Sequence, residues 1–267
     1  MYSLNSSQNK FGFDLQTLLN LKPPRAHCQK CLGLLKSISH CNQKGNIPCP
    51  VCGVETVVPG EINAEKYESF RNHYKALNLY IEFENFIEHA KKLASIAQKM
   101  RPNNSYYPPV SALLDSLNQA QSFVHINSFG ISRDFLFALK LLAQKIPVRG
   151  IIALTSDKLW LRDELQNYSQ ESPNLQLKTV YDAKNWATVP HQKLIVIDGL
   201  IAFKGSTNLT LTAWRKAAQG YDNVELVTNL AQVMNLHNRF FSPLWANLSP
   251  YGNAIALDNS LAIVKAS

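Results

Sequence analysis

Between His191 and Asn208 the chain reads HQKLIVIDGLIAFKGSTN. The segments HQKLIVIDG and LIAFKG each hold a short apolar run that is rich in β-branched residues and too brief for a helix, so they read as consecutive strands. Residues two apart on a strand share a face, which sends His191 and Lys193 into one cleft. After the second run the chain turns at Gly205, where Ser206 and Asn208 can offer hydrogen-bond donors from a loop at the edge of a sheet. An imidazole, an ammonium and neutral donors suit a phosphodiester, whose equatorial oxygens gain charge during displacement.

The flanking sequence supplies the rest of such a sheet. From Val110 onward helical patterns alternate with β-branched runs: a helix from Val110 to Gln121, the strand SFVHINSF, the helix RDFLFALKLLAQK and the strand VRGIIALT. A helix through Leu159–Tyr168, the strand LQLKTVYD, the two strands above, the strand NVELVT and a helix from Leu230 to Trp245 follow. This order predicts an α/β fold in which helices flank a mixed sheet. Upstream, residues 64–100 contain no Pro or Gly and repeat Tyr67, Phe70, Tyr74, Leu77 and Ile81 at mostly three- and four-residue spacing, which predicts a helix. RPNNSYYPP breaks it. The expected organisation is a module over 1–60, a helical connector and linker over 61–105, a catalytic domain over 106–250 and a tail over 251–267.

The full string H-x-K-x4-D-x6-G-S-x-N spans His191, Lys193, Asp198, Gly205, Ser206 and Asn208 and resembles the signature of the phospholipase D superfamily. The resemblance extends from about Val110 to Trp245 and includes a downstream Asn223-x-Glu225. It implies that His191 attacks phosphorus and forms a phosphohistidine, while a second His protonates the leaving oxygen and then activates water. Lys193, Asn208 and Ser206 would bind the non-bridging oxygens. Glu225 would accept a hydrogen bond from the other ring nitrogen of His191, and Asp198 would have a structural role near the site. Catalysis would need no metal or other cofactor. The chain holds one motif where larger members carry two, so the resemblance implies a homodimer with His191 of both subunits in one composite site. His73 and His89 also begin His-x-Lys triplets, but these lie in the predicted helix and read as solvated surface. His125 reads as a core or edge residue, with a place lining the cleft as the alternative, and His237 reads as surface.

All five cysteines fall between Cys28 and Cys52. Cys28-x2-Cys31, seventeen residues, then Cys49-x2-Cys52-Gly matches the spacing of zinc ribbons, and the odd count suits metal binding better than disulfides. The expected ligands of one structural Zn²⁺ are Cys28, Cys31, Cys49 and Cys52. His40-Cys41 gives the segment a RING-like order, with Cys41 as a substitute ligand or part of a second, incomplete site.

The chain carries a formal charge of +8, and up to Gly53 six basic residues (Lys10, Lys22, Arg25, Lys30, Lys36, Lys44) face only Asp14. A basic metal module beside a phosphodiester site favours nucleic acid, DNA or RNA, as the partner. The expectation is a cytoplasmic nuclease without a transmembrane segment, restrained by regulatory partners. The alternatives are a phospholipase acting on phosphatidyl esters and a catalytically silent zinc-dependent binding module.

Overall fold

The computed structural model describes residues 28, 30–34, 46–57, 86–100, 106–155, 158, 160–172, 174–180 and 191–248. His40, Cys41, His73 and the predicted helix before residue 86 lie outside them. A short antiparallel pair, β1 (Asn46–Pro48) and β2 (Glu55–Val57), carries the second cysteine turn. Then come α1 (Phe86–Lys99), α2 (Pro109–Gln119), β3 (Val124–Phe129), α3 (Arg133–Ala143), β4 (Val148–Ala153), α4 (Trp160–Glu171) and β5 (Leu175–Val180). The chain continues through β6 (Lys193–Ile197), β7 (Ile201–Gly205), α5 (Leu211–Ala218), β8 (Val224–Val227) and α6 (Leu230–Leu236). A π-helical turn at His237–Phe241 leads into α7 (Ser242–Asn247).

Strands β3 to β8 form one sheet in the order β5-β4-β3-β6-β7-β8. The βα crossovers make β3, β4 and β5 parallel, and tight hairpins make β6, β7 and β8 antiparallel. The mixed sheet read from the sequence is therefore present. Its central strands are buried on both faces, which is why β6 reads as the unbroken run KLIVI. The bare Cα of Gly150 in β4 leaves room for the Leu177 side chain of β5, whose Cδ2 would sit 2.6 Å from a Cβ there.

The strand period of two divides the buried side chains between the two faces of the sheet. Ile126, Ile195, Ile197 and Phe203 face α2, α3 and α5, whose buried residues Leu113, Leu117, Leu136, Leu139 and Trp214 recur at helical spacing. On the opposite face Leu194, Val196, Ala202 and Val227 pack with Val233 of α6 and with Leu34 from the cysteine segment. Leu34 is fully buried there, its backbone N–H donating to Asn238 Oδ1 at 2.7 Å and its carbonyl accepting from Asn238 Nδ2 at 2.9 Å. The cysteine segment is thus docked through Leu34 onto this face of the sheet.

Several local expectations change. His191 and Gln192 precede β6, which starts at Lys193. Helix α5 falls on a segment given no element from the sequence, with Thr210 as N-cap accepting from Ala213 N. His89 and His237 are buried, not surface residues. His237 Nε2 lies 2.7 Å from Nδ1 of His125, and the His125 ring stacks on Phe241 at 4.5 Å.

Candidate active site

The carboxyl ends of β3 and β7 and the amino ends of β6 and β8 meet along one edge of the sheet. Lys193, the first residue of β6, is 8% exposed. Its Nζ sits 2.7 Å from His191 Nδ1 and also donates to the His191 carbonyl. The two side chains of the H-x-K string therefore do converge, through a direct contact rather than shared strand geometry. Phe129, the last residue of β3, walls the pair: its ring lies 4.8 Å from the imidazole and 5.7 Å from the ammonium.

Burial pulls the Lys193 ammonium down to about 8, against an opposing pull from the Asp222 carboxylate. Burial, and then the charge of Lys193, lower the His191 imidazole from its ordinary range. The site thus favours a neutral imidazole beside a charged lysine at neutral pH.

The G-S-x-N turn is laced to the turn before β8. Gly205 has φ +152, and a Cβ there would meet Asn223 O at 2.1 Å, so only glycine fits. Ser206 donates its hydroxyl to Asp222 Oδ1 and accepts Asn223 N–H at 3.0 Å, while Thr207 Oγ1 donates to Asn223 O at 3.1 Å. On the other side Ser128 Oγ accepts the N–H of Leu209 at 2.8 Å, tying the loop to β3. Between these ties lies half-buried Asn208, whose Oδ1 is buried and has no hydrogen-bond partner among the described residues. An orphaned amide oxygen is costly, and a bound group that donates to it, or an amide turned over by a ligand, would relieve the cost.

Two expected roles change. Residues paired across strands share a face, and Lys193 pairs with Gly205, which pairs with Val224. Asp222 lies in the bend before β8, where its carboxylate acts on the Lys193 ammonium and accepts from Ser206. Glu225 pairs with Lys204 on the opposite face and forms an ion pair with it at 3.1 Å. Register thus turns Glu225 toward Lys204, while the carboxylate whose charge acts on Lys193 is Asp222. The sequence did not show this, because where the strand NVELVT begins and which of its residues meet Lys204 and Gly205 are set by pairing with β7. Asp198 stands at the other end of β6, about 16 Å of strand away at ~3.3 Å per residue. It is 1% exposed and accepts from the backbone N–H groups of Gln121, Ser122 and Phe123 at 2.9, 2.8 and 2.9 Å, and from His89 Nε2 at 2.8 Å. Its role is structural, and its place is remote from the site rather than near it.

The four cysteines form a second centre. The Sγ atoms of Cys28, Cys31, Cys49 and Cys52 all lie within 4.8 Å of one another, with Cys28–Cys52 and Cys31–Cys49 both at 3.5 Å. Tetrahedral zinc with Zn–S bonds of ~2.3 Å needs sulfurs about 3.8 Å apart, so the residues fit that ion. Gly33 N and Val51 N each donate to a cysteine sulfur at 3.4 Å, as backbone amides do around bound thiolates. Hydrogen bonding from Cys31 pulls Cys49 down to about 5, while its bond to Cys49 pushes Cys31 up and burial pushes up Cys28. Four sulfurs this close cannot all ionise without a cation to balance them. Four thiolates would leave a bound zinc no open position, making its role structural.

Residues 113–245 match the family described as "Cardiolipin synthase, PLD-like domain". Among solved structures, the chain is similar to Nuc, a phospholipase D family member from Salmonella typhimurium, at 17% identity and TM-score 0.45, over 56% of this chain and 95% of that one. It is similar to NucT from Helicobacter pylori at 21% identity and TM-score 0.35, over 49% of this chain and 84% of that one. It is also similar to TrmBL2, an archaeal chromatin protein, at 14% identity and TM-score 0.38, over 77% of each chain. No curated protein matches.

Proposed function

We propose, for a chain that carries a PLD-like domain over residues 113–245 behind a four-cysteine cluster, that the protein is a phosphodiesterase that cleaves nucleic acid in the cytoplasm through a phosphohistidine on His191. The observation that carries this reading is the 2.7 Å contact between Lys193 Nζ and His191 Nδ1 in a pocket that lowers the proton affinity of both. A charged lysine donates to Nδ1, which leaves the ring proton on Nε2. A substrate phosphate draws the ammonium onto its non-bridging oxygens. Nδ1 is then free to hold the proton and point it toward Asp222, and the Nε2 lone pair is free to attack phosphorus.

As the His191–phosphorus bond forms, the bond from phosphorus to the leaving oxygen breaks, and that oxygen takes a proton from His191 of the partner subunit. The same imidazole then removes a proton from water, which attacks phosphorus and releases His191. Asn208 offers its side-chain amide N–H to the phosphate, and Ser206 does the same by turning its hydroxyl proton from Asp222 Oδ1 to a phosphate oxygen. A homodimer supplies the second imidazole, and the whole sequence runs on side chains without a catalytic metal. The net charge of +8 supports a polyanionic substrate. The described residues include no helix long and apolar enough to cross a membrane.

The test is brief incubation of wild-type and His191→Ala protein with single- and double-stranded DNA and RNA, in EDTA and in magnesium. Cleavage in EDTA that vanishes in the variant, with an acid-labile phosphoprotein in quenched wild-type reactions, is the expected result. Cleavage that needs magnesium, or that survives in His191→Ala, would overturn the proposal.

A further inference from the structure

Beside Phe129 the edge of the sheet carries a second group of side chains, on the side of β4. Gly130 follows Phe129 with φ +93, and the ammonium of Lys158 lies 3.9 Å from where a Cβ on Gly130 would stand. Lys158 has no carboxylate partner among the described residues. Trp160 opens α4 just beyond and is 54% exposed, unlike the buried Trp214 and Trp245. The guanidinium of Arg133, at the start of α3, stands over its ring at 5.0 Å, with Glu164 at 3.7 Å holding the arginine there.

Exposed tryptophan carries a large cost in hydrated apolar area, and here the ring is braced by a cation on one side while more than half of the residue stays open. A flat aromatic surface with the Arg133 guanidinium over it, and the Lys158 ammonium beside Gly130 on the way from the imidazole and Phe129, suits a nucleotide unit: a base on the ring and its phosphate at the ammonium. From this we infer that Trp160, Arg133 and Lys158 form a subsite for an unpaired nucleotide adjoining the scissile phosphodiester, so that the protein grips single strands in preference to duplex. The inference rests on the nuclease reading above. Bases in a duplex are already stacked on one another and cannot lie on the ring without being flipped out.

The experiment uses the full chain carrying His191→Ala, to prevent cleavage, with a fluorescent 15-nucleotide oligothymidylate and a 15-base-pair duplex, read by anisotropy. Adding Trp160→Ala is expected to weaken oligothymidylate binding roughly tenfold and to leave duplex binding within about twofold, with Trp160→Phe restoring most of the loss. Lys158→Ala should lower the salt slope on single strands by about 0.7. In otherwise wild-type protein, Trp160→Ala should leave hydrolysis of bis(p-nitrophenyl) phosphate unchanged, since that diester has no neighbouring nucleotide. Unchanged oligothymidylate binding in Trp160→Ala, or equal loss for both ligands, overturns the subsite while the nuclease reading stands. Loss of binding to phosphatidylglycerol vesicles in place of oligothymidylate overturns it in favour of a membrane contact. A His191→Ala parent that binds neither polynucleotide overturns both.

Discussion

Replacing Asp198 by Asn turns one carboxylate oxygen into an NH₂ group in a place that holds only donors. Asp198 Oδ1 accepts from Ser122 N and Phe123 N, and Oδ2 accepts from Gln121 N and His89 Nε2, all between 2.8 and 2.9 Å in a residue 1% exposed. An asparagine with its oxygen at the Oδ1 position keeps the first two, weakened by the loss of charge. Its NH₂ then faces the N–H of Gln121, which loses its partner, while His89 can adjust by changing tautomer. One orphaned buried amide costs about 1–3 kcal/mol, and the weakened bonds bring the loss to roughly 2–4 kcal/mol. For a chain of this size that is a fall in Tm of about 5–15 °C. Asp198→Ala, which leaves all four donors without a partner, should cost more. The assay is urea or thermal unfolding beside kcat measured on the folded fraction, with kcat in Asp198→Asn expected within about threefold of wild type. If unfolding is unchanged while kcat falls a thousandfold, Asp198 touches the chemistry and the reasoning is wrong.

Activity should follow a bell-shaped pH profile in kcat/KM. One His191 must be neutral to attack while the partner's His191 carries the proton for the leaving oxygen. The two imidazoles, both lowered from the ordinary 6.5, therefore titrate as a coupled pair and give the profile its two limbs, and loss of the Lys193 proton at about 8 steepens the alkaline one. A profile flat from pH 7 to 10 would contradict this. Gly205→Ala places a Cβ against the Asn223 carbonyl and should displace the turn that holds Ser206 and Asn208, with a loss of about 100-fold in kcat/KM at near-native circular dichroism; retained activity would show that the turn does not set the geometry. Stripping metal from the cysteine cluster should raise amide exchange across β6, β7 and α6, because Leu34 packs on Val196, Ala202 and Val233, and Leu34→Ala should destabilise the metal-loaded protein by ~2–5 kcal/mol. Exchange confined to residues 28–57 would mean that the cysteine segment stands apart from the sheet.

Period and spacing made most of the fold legible. The runs VHINSF, VRGIIA, LQLKTV and KLIVI are strands because their apolar residues are too few for a helix and their flanks break, and the parallel half follows from the helices between them. The convergence of His191 and Lys193 and the cysteine quartet were legible because each depends on residues close in sequence. What escaped depends on contacts between distant segments. The face of Glu225 is set by pairing with β7, and the burial of His89 by Asp198 more than 100 residues away. His237 hides in a helix whose polar spacing looks solvated, because the π turn directs it onto the sheet beside His125.

The bond between Leu34 and Asn238 joins residues 204 positions apart. Contacts of that span form late, since the intervening chain must first be ordered. During synthesis the cysteine turns leave the ribosome some 200 residues before the helix that completes their docking, and until α6 emerges Leu34 and the apolar face of β6 and β7 have only solvent or chaperones for company. This face of the sheet is thus covered only when segments from both sides of the strand-bearing region have been made, which ties the docking of the cysteine segment to the arrival of α6 and Asn238.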